Sequence, residues 1–163
     1  MFISSRHNSL EPARLWTLLA ALGCVSAFAA CGGGAKAAVP KTLSEGIYTD
    51  AQAVRGEQVY SEHCVQCHAE DLSGDTPYNP SPSLAGKAFR LRWDKKTMGD
   101  LFLQARTQMP KDKPGSLKSN EYADVVSFIL KANEFPAGKT ELNDDVGALT
   151  QVKIITEPTA LAH

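Results

Sequence analysis

Residues 64–68 read Cys64-Val65-Gln66-Cys67-His68, two cysteines separated by two residues and followed directly by a histidine. This arrangement is the attachment motif of a covalently bound c-type haem. One helical turn brings the two thiols to the spacing of the two porphyrin vinyl groups to which they add. The histidine can then offer an imidazole nitrogen to the iron. The motif predicts one haem c, with its iron, held by Cys64 and Cys67 and ligated by His68.

Two other kinds of site use the same cysteine spacing. A redox C-x-x-C of thioredoxin type opens a helix after a strand, and the residues before Cys64 do not have a strand pattern. A structural zinc site needs further cysteine or histidine ligands. Of the other cysteines, Cys24 and Cys31 fall in an N-terminal leader. Both alternatives are therefore disfavoured, and no disulfide framework is expected.

The leader has the features of an export signal. Two arginines, Arg6 and Arg14, precede an apolar run at residues 15–30. This run is too short to span a membrane. Small residues offer cleavage sites at 27–29 and at 35–37. Phe28-Ala29-Ala30-Cys31 also resembles the lipobox of bacterial lipoproteins, in which Cys31 would be lipidated. Either route predicts a periplasmic protein, and the second adds a lipid anchor to a membrane.

A helix is predicted from residue 51 to about 62, with Asp50 as its N-cap. Gly56 lies in mid-helix, where it costs about 1 kcal/mol relative to alanine, and the close approach of a second helix would explain it. Tyr60 lies four residues further on and therefore on the same face. Gly56-x-x-x-Tyr60 leading into the haem motif resembles the start of the class I monohaem cytochrome c family, a resemblance that runs to about Ala137.

The resemblance implies an all-α fold, the small cytochrome c fold, in which the N- and C-terminal helices cross at this glycine and loops enclose the haem. It divides the chain into a leader and tether at residues 1–37, a haem domain at 38–137 and a C-terminal tail at 138–163. The tail is expected to be extended on the domain or disordered. Similar tails occur in the cytochromes of this family that are allied to bacterial quinoprotein dehydrogenases.

The resemblance also implies roles for residues around the haem. Pro82-Ser83-Leu84-Ala85-Gly86 is similar to the family's Pro-x-Leu-x-Gly motif. By this resemblance the Pro82 carbonyl would accept a hydrogen bond from His68, and Leu84 would pack on the ring. Trp93 and Arg92, in a basic segment, are candidates for binding a haem propionate. A buried core position is the more ordinary fate of a tryptophan.

The sixth iron ligand is expected to be Met109. Thr97-Met98-Gly99-Asp100 is a capping box that predicts a helix to about Arg106, and Met109-Pro110 follows that helix. This is the position of the distal methionine in the family. Met98 lies in the first turn of the helix, where a packing role is expected. His63 is too close to Cys64 to reach the opposite face of the ring.

The last helix is predicted from Ser119, as its cap, to about Ala132. Its apolar residues Val125 and Phe128 are expected to pack against Gly56 and Tyr60. Charges are segregated along the chain: residues 41–75 hold seven acids and two bases, whereas residues 87–118 hold nine bases and three acids. This second span, the basic collar, is a candidate surface for an acidic redox partner.

The predicted function is a periplasmic single-electron carrier with His/Met ligation, and not an enzyme. Its partners would be redox proteins, with a periplasmic dehydrogenase as donor and an oxidase or another cytochrome as acceptor. Neither nucleic acid nor, apart from the lipid anchor, membrane is an expected partner. The alternatives are a fixed haem subunit of a larger dehydrogenase complex, which uses the tail for docking, and an open-site haem enzyme or ligand binder. The chain would be a monomer or a complex subunit.

Overall fold

The computed structural model of the protein describes residues 42–77 and 79–156. Within these residues the chain is helical and forms no strand beyond two isolated bridges, so the predicted all-α class is confirmed. The predicted leader, Cys31 and the last residues of the tail lie outside the described part. None of the described helices has the length and apolar character needed to span a membrane.

In the part of the chain that the structure describes, six α-helices follow a short 3₁₀ turn. In chain order they are Leu43–Glu45 (3₁₀), α1 Asp50–His63, α2 Val65–His68, α3 Gly86–Trp93, α4 Met98–Gln108, α5 Ser119–Ala132 and α6 Val146–Leu149. The predicted bounds of α1, α4 and α5 agree with the structure to within about two residues, the usual uncertainty of helix ends. Helices α3 and α6 were not predicted.

An N-cap residue was predicted for α1, α4 and α5, and the structure differs from the prediction at α1 and α5. Thr49, and not Asp50, caps α1, because its hydroxyl accepts a hydrogen bond from the Gln52 amide at 3.1 Å. At α5 the predicted cap Ser119 is the first helical residue. At α4 the predicted capping box is present: the Asp100 carboxylate accepts from the Thr97 amide at 2.8 Å.

Helices α1 and α5 cross at Gly56. A β-carbon at this position would overlap the backbone carbonyl of Asp124, so only glycine permits the approach. One turn further on, the rings of Tyr60 and Phe128 pack with centroids 5.1 Å apart. This crossing is the one that the resemblance implies, and it forms the base on which the site is built.

The chain after Gly138 packs against the helices up to the last described residue. Four of its apolar side chains are buried, Leu142, Leu149, Val152 and Ile154. Its backbone pairs with the connection between α3 and α4, where Ile154 donates to the Lys96 carbonyl at 2.9 Å. Residues 139–156 therefore lie back on the domain, which is one of the two alternatives expected for the tail, although the short helix α6 interrupts the extended segment.

Two side chains of α1 hold this tail. The buried Gln52 amide donates to the Leu142 carbonyl at 2.9 Å and accepts from the Leu142 amide at 2.7 Å. Arg55 bonds the Asp124 carboxylate through two nitrogens and reaches Glu141 at 3.0 Å. The tail is thus fixed to the same helix that ends at the cysteine motif.

Candidate haem site

The cysteine motif lies where α1 ends and α2 begins. The His68 amide donates to the Cys64 carbonyl at 2.9 Å, so a single helical turn spans the motif, as its chemistry requires. Burial, and secondarily the neighbouring Cys67, raises the pKa of the Cys64 thiol to about 11. Both thiols and the His68 ring line one cavity.

This cavity has a volume of about 630 Å³, within the range of small-molecule and cofactor pockets. Apolar side chains form much of its wall, and they are Leu84, Trp93, Leu101, Ala105, Leu117, Val125, Val126 and Ile129. The groups of the lining that could bind haem or its iron are two thiols, two imidazoles and one thioether, contributed by Cys64, Cys67, His63, His68 and Met109. An apolar space with this donor set fits a covalently held haem.

A zinc site is disfavoured by the same structure. Within residues 42–77 and 79–156 no group of three or more His, Cys, Asp or Glu side chains could hold a metal ion. A structural zinc ion needs four such ligands. The cavity therefore suits a porphyrin, which brings four of the metal's ligands with it, better than a bare ion.

The imidazole of His68 is oriented by the Pro82 carbonyl. The distance from Nδ1 to this oxygen is 3.1 Å. A carbonyl can only accept a hydrogen bond, so Nδ1 carries the proton and Nε2 has a free lone pair. Burial lowers the pKa of His68, and the bond to Pro82 partly opposes that shift. The ring is thereby held in the neutral form that metals bind.

The segment after Pro82 is held in place by Asn133. Its side-chain amide donates to the Leu84 carbonyl at 2.8 Å, and its side-chain oxygen accepts from the Gly86 amide at 2.9 Å. Leu84 lines the cavity, and its packing on the haem ring stays a prediction. The sequence indicated Asn133 only as a helix end, because its partners Leu84 and Gly86 lie more than forty residues away.

Trp93 and Arg92 also line the cavity. Trp93 is buried and stacks near Phe89, with ring centroids 6.4 Å apart. The Lys96 ammonium lies 4.8 Å from the Trp93 ring centroid and the Arg92 guanidinium 5.9 Å from it. Such cations stabilise the indole electrostatically. The propionate-binding role of Trp93 and Arg92 stays a prediction, with both side chains at the cavity.

Met109 directly follows α4 and lines the same cavity, whereas the other methionine of this helix, Met98, is fully buried and lies outside the lining. The Met109 amide still donates to the Ala105 carbonyl at 3.1 Å, so the helix fixes the start of its loop. Sequence reasoning missed Tyr122, whose hydroxyl bonds the Met109 backbone. The only signal was an aromatic residue in the first turn of an amphipathic helix.

Comparison with known proteins assigns the class that the fold and cavity define. The family model described as cytochrome c oxidase, cbb3-type, subunit III matches residues 51–129. Cytochrome c-551 of Bacillus subtilis (strain 168) is 31% identical over 101 residues, which is 62% of this chain and 80% of that protein. The crystal structure of the sulfane dehydrogenase SoxCD from Paracoccus pantotrophus is similar with a TM-score of 0.42 at 20% identity, over 74% of this chain and 67% of that one.

The chain belongs to the class I c-type cytochrome family. It carries covalently bound haem c with iron and is a haem-based electron carrier.

Proposed function

We propose that the protein carries single electrons in the periplasm, with haem c bound through Cys64 and Cys67 and ligated by His68 and Met109. The observation that supports this most directly is the shared cavity. It collects the motif at the end of α1 and the methionine at the end of α4 in one apolar space. These two segments are separated by 41 residues of sequence, so their convergence is a property of the fold.

When bound, haem supplies one-electron chemistry by alternation of its iron between the ferrous and ferric states. The protein's residues determine how readily it does so. Burial keeps the imidazole of His68 neutral, and the hydrogen bond to the Pro82 carbonyl orients it. The apolar wall excludes water, and a thioether from Met109 favours the ferrous state. His68 and Met109 together would leave the iron no position open to a substrate, so the proposed protein is not an enzyme.

The periplasmic location rests on the leader, and the lipid anchor at Cys31 on the lipobox-like sequence. The proposed donor is a periplasmic dehydrogenase, and the proposed acceptor is an oxidase or another cytochrome. A free carrier is favoured over a fixed subunit that docks through its tail. Residues 139–156 bury their apolar side chains against the haem domain itself, which leaves few of them for a partner.

The ligand set is tested by absorption spectroscopy of the ferric protein beside Met109→Ala. Methionine-ligated ferric haem shows a weak far-red charge-transfer band. We expect the wild type to show this band, Met109→Ala to lose it, and Met98→Leu, which changes a buried methionine outside the cavity lining, to retain it. A wild type with a high-spin spectrum and no such band would contradict the proposal and favour an open-site haem protein.

A further inference from the structure

The loop that begins at Met109 is held closed by one phenol. Tyr122 lies in the first turn of α5 and is 2% exposed. Its hydroxyl donates to the Met109 carbonyl at 2.6 Å. The Leu117 amide lies 3.5 Å from the same hydroxyl and donates to it. A single side chain thus joins Met109, the first residue of the loop, to Leu117 near its end.

The Met109 carbonyl has one further partner, the Gly115 amide at 3.3 Å. The Tyr122 bond is the shorter of the two, and its donor is fixed by a rigid ring that also forms part of the cavity wall. The backbone of Met109 is therefore anchored at two points: its amide by the end of α4 and its carbonyl by Tyr122. Between these anchors only the side-chain torsions remain to direct the sulfur.

We propose that Tyr122 is a positioning residue for the axial methionine, and that its hydrogen bond to the Met109 backbone sets how tightly the thioether stays on the iron. This inference rests on the proposed ligand set. The proposal requires that Met109, when it leaves the iron, carries its loop outward and breaks the Tyr122 bond. The bond therefore stabilises the ligated state over the released one. In a loop with a single conformation the same bond would not discriminate between two states.

The test is competition by imidazole for the iron of the ferric, haem-loaded protein. Displacement of Met109 is followed by loss of the far-red band. Tyr122→Phe keeps the ring and removes the donor, so imidazole should displace Met109 at about three- to tenfold lower concentration, the worth of one hydrogen bond. Far-UV circular dichroism reports whether the variant has folded, because a covalently attached haem shows a Soret band even in an unfolded chain.

Tyr48→Phe is the matched control. Tyr48 is equally buried, and its hydroxyl donates to the Phe135 carbonyl at the same 2.6 Å, but it lies outside the cavity lining. This variant should lose stability to urea and keep the wild-type imidazole affinity. Equal affinities in all three proteins would overturn the role of Tyr122 and leave the His68/Met109 set intact. A wild type without the band would instead refute the ligand set itself.

A measurement on the wild type alone keeps the inference testable if Tyr122→Phe does not mature. The exchange of the Tyr122 hydroxyl proton with water is followed by NMR, with and without saturating imidazole. We expect exchange to become at least tenfold faster when imidazole replaces Met109, because the Met109 carbonyl then leaves the hydroxyl. An unchanged exchange rate would show that the phenol and the ligand are not coupled.

Discussion

Asn133 is the residue that joins the end of α5 to the histidine side of the cavity. It is 4% exposed, and each polar atom of its side chain is used. Its amide nitrogen donates to the carbonyls of Leu84 and Ile129, and its oxygen accepts from the Gly86 amide. The Pro82 carbonyl, which orients His68, lies two residues before this anchored segment.

We expect Asn133→Asp to destabilise the protein by about 2–4 kcal/mol at neutral pH, because a buried carboxylate would face two carbonyl acceptors in place of a donor. Burial would raise the folded-state pKa of this carboxyl above its unfolded value. The deficit should therefore grow as pH rises through the unfolded pKa and shrink as pH falls. Urea unfolding between about pH 4 and pH 8 measures it, starting from the unperturbed pKa of an Asp.

Asn143→Asp is the control, since Asn143 is exposed and makes only a local bond to the Asp145 amide. Its unfolding free energy should stay within about 0.5 kcal/mol of the wild type, as for most surface changes. If Asn133→Asp behaved in the same way, the Asn133 contacts would not hold the Leu84 segment in solution.

The residues found from sequence and those missed differ in the kind of partner they have. Covalent chemistry fixes the spacing of Cys64, Cys67 and His68, so a five-residue stretch is enough to indicate them. Tyr122 and Asn133 act on backbone carbonyls, which every residue carries. No pattern of residue types marks such a partner, and only the fold brings the two atoms together.

At the scale of elements, the long amphipathic helices were predictable and the short ones were not. Helix α5 has a wide apolar face that fixes its period. Helix α3 buries only Phe89 and Trp93, and its other six positions are basic or exposed, so its sequence resembles a charged loop. In the tail, single apolar residues lie at irregular intervals and pack one by one, which gives neither a helical nor a strand period.

If the tail is packed on the domain, substitutions of two neighbouring isoleucines, one buried and one exposed, should differ in their effect on stability. Ile154 is fully buried, whereas Ile155, next to it and of the same type, is 38% exposed. We expect Ile154→Ala to lower the free energy of unfolding by about 2–4 kcal/mol, as for isoleucine truncation in a core. Ile155→Ala should cost less than about 1 kcal/mol. Urea unfolding followed by far-UV circular dichroism gives both values.

Equal and small effects of the two substitutions would mean that the tail is loosely attached in solution. In that case its apolar side chains would again be free to meet another subunit, and the fixed-subunit alternative would gain support. A large effect of Ile154→Ala alone would tie the tail to the α3–α4 connection, where its backbone bonds the carbonyl of Lys96.

At the scale of the whole molecule, net charge and local charge have opposite signs. Residues 38–163 hold 14 Lys and Arg and 17 Asp and Glu, a formal charge of −3 without haem. The basic collar, residues 87–118, carries nine bases and three acids, and its members Arg92 and Lys111 line the cavity. Two of its bases are paired with acids of α5 or its end, Arg90 with Glu134 and Lys118 with Glu121.

The net charge of the molecule and the local charge of the collar predict opposite effects of salt on the rate of reaction with a small anionic oxidant. If net charge governed the encounter, hexacyanoferrate(III) would be repelled, and added salt would speed its reaction with the ferrous protein. If the collar governs it, the oxidant is attracted to the cavity, and the rate should fall as salt rises. We expect the fall between about 0.01 M and 0.15 M salt, where the screening length shrinks from about 30 Å to about 8 Å.

Two double variants, each of which removes two positive charges, distinguish the effect of the position of the charges from the effect of the net charge. Lys111→Gln/Lys113→Gln changes the collar, and Lys139→Gln/Lys153→Gln changes exposed lysines outside it. Steering through the collar predicts a reaction about two- to fivefold slower at low salt for the first variant, a modest share of the tenfold or greater effects of charged clefts. The reaction rate of the second variant should fall by much less. Stopped-flow absorbance measures both, and equal slowing of the two would mean that net charge, and not the collar, sets the encounter rate.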